Sequence, residues 1–197
     1  MPSESTRVAL LITDMLERLS IAYAVEGSLA DSDYGLARST LDAHVIADIR
    51  PEHVEPFVAA LSGDFYADHR SIEDAIERRG TFTLVHYSSK FNVDVVIPKL
   101  RPFDQMQLTR RRALVVSTDP PQQVSMTSPE DAVLSKLERY RASGTGAEGT
   151  PLLAPRLITE VGRMLRAQGD KLDLDYLRHW AKELKVDDLL ERALKQV

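Results

Sequence analysis

The most informative stretch of this chain is EGSLADSDYGLARSTLDAHVIADI, residues 26–49. It opens with a Gly27-Ser28 turn that follows one apolar run, and Asp42 and His44 begin a second apolar run. Side chains two positions apart on a strand point to the same face of a sheet. The stretch therefore predicts two strands, the second with an acid and a histidine on one face, at the end nearest the turn.

A further acid, Asp94, lies in the middle of the apolar run 91–97. Aspartate is depleted in strands, and an unpaired buried carboxylate is costly, so such a residue is usually paired, metal-bound or exposed. If the strands at 42–49 and 91–97 are neighbours, Asp42, His44 and Asp94 converge at one edge of the sheet. They would form a cluster of metal-ligand types without cysteine.

Each of the three residues also has a simpler interpretation. Asp42 can terminate a strand, His44 can be an ordinary hydrogen-bonded side chain, and Asp94 can face solvent from a half-exposed hairpin strand. Their combination with the Gly-Ser turn favours a functional site over these separate explanations.

The composition of the 197 residues is ordinary for a soluble globular protein, with 43% apolar and 28% charged residues. The chain has no cysteine, which excludes disulfides, thiolate metal sites and a cysteine nucleophile, and fits a cytoplasmic protein. Its formal net charge of -5 gives no bulk attraction to polyanions. No apolar run approaches the roughly 18 residues that a membrane span needs, so we expect no membrane partner.

The pattern of apolar residues predicts a mixed α/β half followed by a helical half. The change comes at Thr127-Ser128-Pro129, where Ser128 can cap a helix and Pro129 suits its first position. We therefore expect an α/β domain over residues 1–126 and a helical domain over residues 127–197. The predicted helices cover residues 4–19, 51–61, 70–79, 102–111, 129–141, 153–168, 173–184 and 186–195, with a short helix or turn over 29–37. The predicted strands cover residues 21–26, 42–49, 81–87, 91–97, 113–117 and 122–126.

Four short motifs, taken together, resemble those of a known superfamily. They are Gly27-Ser28, Tyr34-Gly35, Arg38-Ser39-Thr40-Leu41-Asp42-x-His44 and Val93-Asp94-Val95. This ensemble is similar to the nucleotidyltransferase (polymerase-beta-like) superfamily, and within it to the bacterial branch near the AbiEii-type toxin nucleotidyltransferases. Residues 128–137 and 172–181 are also similar to helices of that branch.

The resemblance implies an α+β fold, in which a nucleotidyltransferase-type mixed β-sheet is flanked by helices and followed by a C-terminal helical bundle. It also implies the metal-dependent transfer of a nucleotidyl group from an NTP to an acceptor hydroxyl of an RNA, a protein or a small molecule. Divalent ions such as Mg²⁺ can clamp the attacking and leaving oxygens of this reaction, and carboxylates are suitable Mg²⁺ ligands.

The resemblance also assigns a role to each matching residue. Asp42 and Asp94 would be catalytic, with Asp94 helping to activate the acceptor hydroxyl, and both would bind metal together with His44. Four other residues would hold the nucleotide: Gly27, Ser28, Arg38 and Lys136. Arg38 could instead brace the turn. A Gly-Ser turn that opens a helix offers backbone N–H groups and a hydroxyl to a triphosphate.

His44 departs from the motif, which has an acid at this position. Neutral imidazole is a poorer ligand for Mg²⁺ and suits Mn²⁺ or Zn²⁺ better, so the metal preference would change. Alternatively, the chain has kept the fold and lost the chemistry, and acts as a catalytically inactive module through contact with a partner protein, as in a toxin–antitoxin-like pair. A third alternative is a transition-metal hydrolase built on the same three residues.

Overall fold

The computed structural model describes residues 4–27, 42–61, 63–118, 121–144 and 153–195. Within these ranges the chain forms seven strands and eight α-helices. The strands are β1 Tyr23–Gly27, β2 Asp42–Ala47, β3 Phe65–Tyr66, β4 Thr81–His86, β5 Asn92–Val96, β6 Arg112–Thr118 and β7 Pro121–Met126. The helices are α1 Glu4–Arg18, α2 Val54–Leu61, α3 His69–Arg78, α4 Pro102–Thr109, α5 Pro129–Gly144, α6 Leu153–Gln168, α7 Leu174–Glu183 and α8 Asp187–Leu194.

Most of these elements were predicted from the spacing of apolar residues, with ends that differ by a few positions. Strand β3 was not predicted, because its two residues are too few to show an alternating pattern. The short helix or turn predicted over 29–37 lies outside the described residues.

The strands form one mixed sheet in the order β3-β4-β5-β2-β1-β7-β6. β2 is parallel to β5 and β1 is parallel to β7, whereas the other neighbouring pairs are antiparallel. The prediction of an α+β fold with a mixed sheet and flanking helices is therefore confirmed. The order also makes β2 and β5 neighbours, which was the condition for bringing Asp42, His44 and Asp94 to one part of the sheet.

One face of the sheet is apolar along its central strands. Val45, Val95 and Phe82 are at most 2% exposed there, as the alternation of a half-buried strand requires. The ring of Phe57 on α2 meets the ring of Phe82 edge-on, with centroids 6.3 Å apart. Helix α1 contacts β2 and α2 as well, and its buried side chains repeat at helical spacing: Val8, Ile12, Met15 and Leu16.

The opposite face is apolar at only one end of the central strands. Ala24 of β1, Ile46 of β2 and Leu108 of α4 form a small buried cluster, against which Val96 of β5 packs. Helix α4 therefore covers this end of the face. The residues two positions away along the same strands are polar, and they form the site described below.

The described residues fall into two compact units, the first ending at Thr127 and the second beginning at Ser128. In the second unit, Ser128 caps α5 by accepting a 3.1 Å hydrogen bond from the backbone N–H of Asp131. The Asp131 carboxylate is fully buried and accepts hydrogen bonds from Ser128 Oγ at 2.7 Å and from Tyr176 Oη at 2.6 Å. Tyr176 lies on α7, so these bonds tie the start of α5 to a second helix of the unit.

In the described part of the chain, every helix is too short or too polar to cross a membrane.

Candidate functional site

Four polar residues form one row across four adjacent strands. Thr83 of β4 is aligned with Asp94 of β5, Asp94 with His44 of β2, and His44 with Glu26 of β1. Aligned residues on neighbouring strands lie on the same face of a sheet. The row therefore presents a hydroxyl, a carboxylate, an imidazole and a second carboxylate side by side.

The position of the row follows from the period of the strands. Ala24, Ile46 and Val96 lie two residues from Glu26, His44 and Asp94, on the same face, and α4 covers them. The polar row is the next one toward the end of the sheet. The side chains of His44 and Asp94 are 28% and 30% exposed, so both are partly accessible to solvent.

The Asp94 carboxylate has a different neighbour at each oxygen. Oδ1 accepts a 2.7 Å hydrogen bond from the hydroxyl of Thr83, and Oδ2 lies 3.6 Å from Nε2 of His44. The first distance is typical of an O–H···O hydrogen bond, whereas the second is too long for a direct one. Oδ1 of Asp94 is thus held by a hydrogen bond, whereas Oδ2 lies near the imidazole of His44 without a direct hydrogen bond to it.

Neither Thr83 nor Glu26 was among the site residues predicted from the sequence. Glu26 is only 4% exposed, although it is an acidic residue, and it belongs to the same row as His44. The signal for Glu26 was present in the sequence, since an acid directly follows the apolar residues of β1. Thr83 had no such signal, because threonine is common on exposed strand faces.

The backbones of Asp42 and Gly27 lie at the same end of the sheet as the row. Asp42 begins β2, two residues before His44, and is aligned with Asn92 at the start of β5. Gly27 ends β1 opposite Ala43. The side chain of Asp42 lies outside the described part of the structure, as do Ser28 and Arg38.

Lys136, the remaining predicted nucleotide-binding residue, lies on α5 in the second unit. Its side chain is 6% exposed. Its contact with a nucleotide stays a prediction.

His44 and Asp94 have the chemistry of a pair of metal ligands. Two donor atoms that each lie about 2.1 Å from one ion can be no more than about 4.2 Å apart, and the Nε2 to Oδ2 distance of 3.6 Å satisfies this limit. A nitrogen and an oxygen donor together fit Mn²⁺ or Zn²⁺ better than Mg²⁺. Among the side chains that the structure describes, no group of three histidine or acidic residues is placed to hold a metal ion. A third ligand would have to come from elsewhere, and Asp42 is the predicted one.

No protein-family model and no curated protein matches the chain. Solved structures do match its fold. One is an antigenic nucleotidyltransferase-like protein from Paracoccidioides brasiliensis, with a TM-score of 0.56 and 15% sequence identity over 100% of this chain and 94% of that one. Another is the antibiotic-resistance factor ANT(2'')-Ia, with a TM-score of 0.53 and 13% identity over 99% of this chain and 100% of that one. Together with the mixed sheet and its flanking helices, these similarities show that the chain has the nucleotidyltransferase fold.

Proposed function

We propose that this chain is a nucleotide-binding nucleotidyltransferase, which transfers a nucleotidyl group from an NTP to an acceptor hydroxyl with the help of a divalent metal ion. The observation that carries the proposal is the adjacency of His44 and Asp94, whose Nε2 and Oδ2 atoms lie 3.6 Å apart in the partly exposed polar row of the sheet. In the reaction, the acceptor oxygen forms a bond to the α-phosphorus and pyrophosphate leaves. The acceptor is a hydroxyl of an RNA, a protein or a small molecule.

The residues of the polar row have the properties that this reaction needs. Phosphoryl transfer depends mainly on positioning and on stabilisation of charge. Asp94, whose Oδ2 lies 3.6 Å from Nε2 of His44, would help to activate the acceptor hydroxyl and would hold the metal ion with His44 and Asp42. A metal ion bound there would stabilise the negative charge that develops on the phosphate oxygens. In this proposal four residues hold the nucleotide: Gly27, Ser28, Arg38 and Lys136. The support for their role is the motif resemblance.

The finer placement near the AbiEii-type toxin nucleotidyltransferases is also part of the proposal. It is supported by the motifs within residues 27–44 and by the similarity of residues 128–137 and 172–181 to helices of that branch.

His44 favours a second candidate function. Because an imidazole replaces the acid of the motif, the site has one negative charge fewer for holding a metal ion. A module that keeps the fold, has lost the transfer reaction and binds a partner protein would have this feature. It would respond to the partner and not to nucleotides.

A thermal-shift experiment separates the two functions. The wild type, Asp42→Ala and Asp94→Asn would be heated with each NTP in the presence of Mg²⁺, Mn²⁺ or Zn²⁺. A ligand that binds only the folded state raises the free energy of unfolding by mass action, by about 2.7 kcal/mol at a concentration of 100 times Kd, and the unfolding midpoint rises with it. For the proposed transferase we expect a metal-dependent rise with an NTP, and its loss in both variants.

The matched control is Asp74→Asn, which removes an exposed carboxylate of α3 and should keep the full response. If no NTP and metal pair shifts the midpoint of a folded wild-type protein, the transferase proposal is wrong and the contact module is favoured.

A further inference from the structure

Asp94 needs an external partner to hold its carboxylate in one orientation. The last torsion of an aspartate side chain is broad and has no sharp rotamer wells. Asp94 is 30% exposed, so packing alone does not fix this torsion. A hydrogen bond to one oxygen does, because it determines where the other oxygen points.

Thr83 supplies that hydrogen bond. Its Oγ1 donates to Asp94 Oδ1 at 2.7 Å, and the two residues are directly aligned across β4 and β5. Threonine is branched at Cβ, so its first torsion is restricted and the hydroxyl keeps its direction. A bond from a hydroxyl to a carboxylate is charge-assisted, which makes it stronger than a neutral one. As a result, Oδ1 is occupied and Oδ2 remains available on the side of His44.

We propose that Thr83 is a positioning residue of the site, which orients Asp94 so that Oδ2 faces the metal ion. This inference rests on the proposed function, since it gives Asp94 a task that requires a defined orientation. In this role Thr83 acts through its hydrogen bond to Asp94 and does not itself bind metal or substrate. Hydrogen-bond partners of this kind behind a metal ligand typically contribute about 10–100-fold in metal affinity or activity.

The experiment measures Mn²⁺ binding from the electron paramagnetic resonance signal of the free ion, with and without each NTP. The test variant is Thr83→Val, which keeps the branched shape and the strand preference but removes the hydroxyl. We expect the Kd for Mn²⁺ to rise about 10-fold. Thr83→Ser restores the hydroxyl and should return the Kd close to that of the wild type.

The matched control is Thr81→Val, on the same strand and the same face, where the threonine is aligned with Val96 and not with a carboxylate. Its Kd for Mn²⁺ should equal that of the wild type. The unfolding midpoint without metal is measured for Thr81→Val, Thr83→Val and Thr83→Ser, so that a change in stability is separated from a change in Mn²⁺ affinity. A fall in the Thr83→Val midpoint that Thr83→Ser does not rescue would make the residue structural and overturn the inference.

Mn²⁺ binding by the wild type and by two variants, Asp94→Asn and Thr83→Val, separates the role of Thr83 from the proposed function. If Asp94→Asn abolishes Mn²⁺ binding and Thr83→Val leaves it unchanged, Thr83 does not position the ligand, and the proposed function stands. If the wild type binds no Mn²⁺ with or without an NTP, the metal-dependent function is wrong, and the role of Thr83 is wrong with it.

Discussion

His44 of β2 and Asp94 of β5 occupy the same row of a parallel pair of strands, and Nε2 of the imidazole lies 3.6 Å from Oδ2 of the carboxylate. On its other side His44 faces Glu26 of β1. The imidazole thus separates two acids that would otherwise be neighbours in the row. From this arrangement we expect His44 to have two measurable effects, one on metal preference and one on stability.

The substitution His44→Asp should move the metal preference of the site toward Mg²⁺. It supplies the acid that the motif has at this position, and Mg²⁺ prefers oxygen ligands. Without metal, the new carboxylate lies between two others, and like charges on facing positions destabilise a sheet by up to about 1 kcal/mol. We expect a lower unfolding midpoint without metal and a larger rise with Mg²⁺ and an NTP, both measured by thermal shift.

His44→Asn is the control, because it removes the imidazole without adding a charge. It should gain no response to Mg²⁺ and should not lower the midpoint by charge repulsion. If His44→Asp and His44→Asn behave alike with every ion, position 44 does not set the metal preference.

Tyr23 should make the stability of the first unit depend on alkaline pH. Its hydroxyl donates a 2.6 Å hydrogen bond to Glu17 Oε1, and burial together with this bond raises the pKa of Tyr23 from 10.0 to about 12. Since the folded state favours the neutral phenol, this contribution is complete below pH 10 and is lost as the pH rises through about 12. Urea unfolding of the wild type should show that loss.

Tyr23→Phe removes the hydroxyl and keeps the ring. At neutral pH it should lower the free energy of unfolding by about 1 kcal/mol for each hydrogen bond lost. The hydroxyl makes two: it donates to Glu17 at 2.6 Å and accepts from the backbone N–H of Ser125 at 3.4 Å. The difference between the two proteins should shrink above pH 10. Parallel pH curves for wild type and variant would contradict the link between the phenol and stability.

The parts of the fold that depend on residues close together in the sequence could be predicted from it. Ser128 and Pro129 were expected to start a helix, and Ser128 does cap α5. The strand that contains Asp42 and His44 was likewise visible as an apolar run. Caps and strand patterns are set within a few residues, so a single sequence contains the necessary information.

The alignment of Thr83 with Asp94 could not be predicted, because it depends on the length of one turn. The predicted strands 81–87 and 91–97 leave three connecting residues. In the structure β4 ends at His86 and the backbone N–H of His86 bonds to Phe91 O, so four residues make the turn. A shift of one residue in register moves a side chain to the opposite face. The turn ends at Lys90, which has a φ of 58°. Glycine or asparagine at this position would have indicated a positive φ from the sequence, whereas lysine does not.

Tyr176→Phe should destabilise the second unit although it keeps the aromatic ring. The ring of Tyr176 lies 6.2 Å from that of Trp180, a contact that phenylalanine can preserve. The lost hydroxyl leaves the buried Asp131 without its 2.6 Å donor on Oδ1, and a bond to a charged group is worth about 1.5–3 kcal/mol. Urea unfolding followed by the fluorescence of Trp180 measures the change.

Ser128→Ala removes the donor to the other oxygen of Asp131, Oδ2. The variant should lose about 1 kcal/mol, the typical effect of losing a helix cap. Because Ser128 and Tyr176 both donate to Asp131, their effects should not add in the double variant. Additive losses would mean that the two bonds act independently and that Asp131 does not couple α5 to α7.

His69 should titrate above the ordinary range for histidine. Its Nε2 lies 3.1 Å from Glu55 Oε1 and its Nδ1 lies 3.5 Å from Glu73 Oε2. The hydrogen bond with Glu55 is the main cause that raises the pKa of His69 above 6.5, and the charge of Glu73 adds to it. Nuclear magnetic resonance titration of the imidazole signals should show the raised pKa directly.

Glu55→Gln should return the pKa of His69 toward 6.5, and Glu73→Gln should lower it by less. Because the folded state favours the charged imidazole, the stabilisation from this pair is complete below pH 6.5 and is lost as the pH rises through the raised pKa. Both glutamates and the histidine are exposed, so added salt should weaken the effect by screening. An unchanged pKa of His69 in Glu55→Gln would assign the shift to another group.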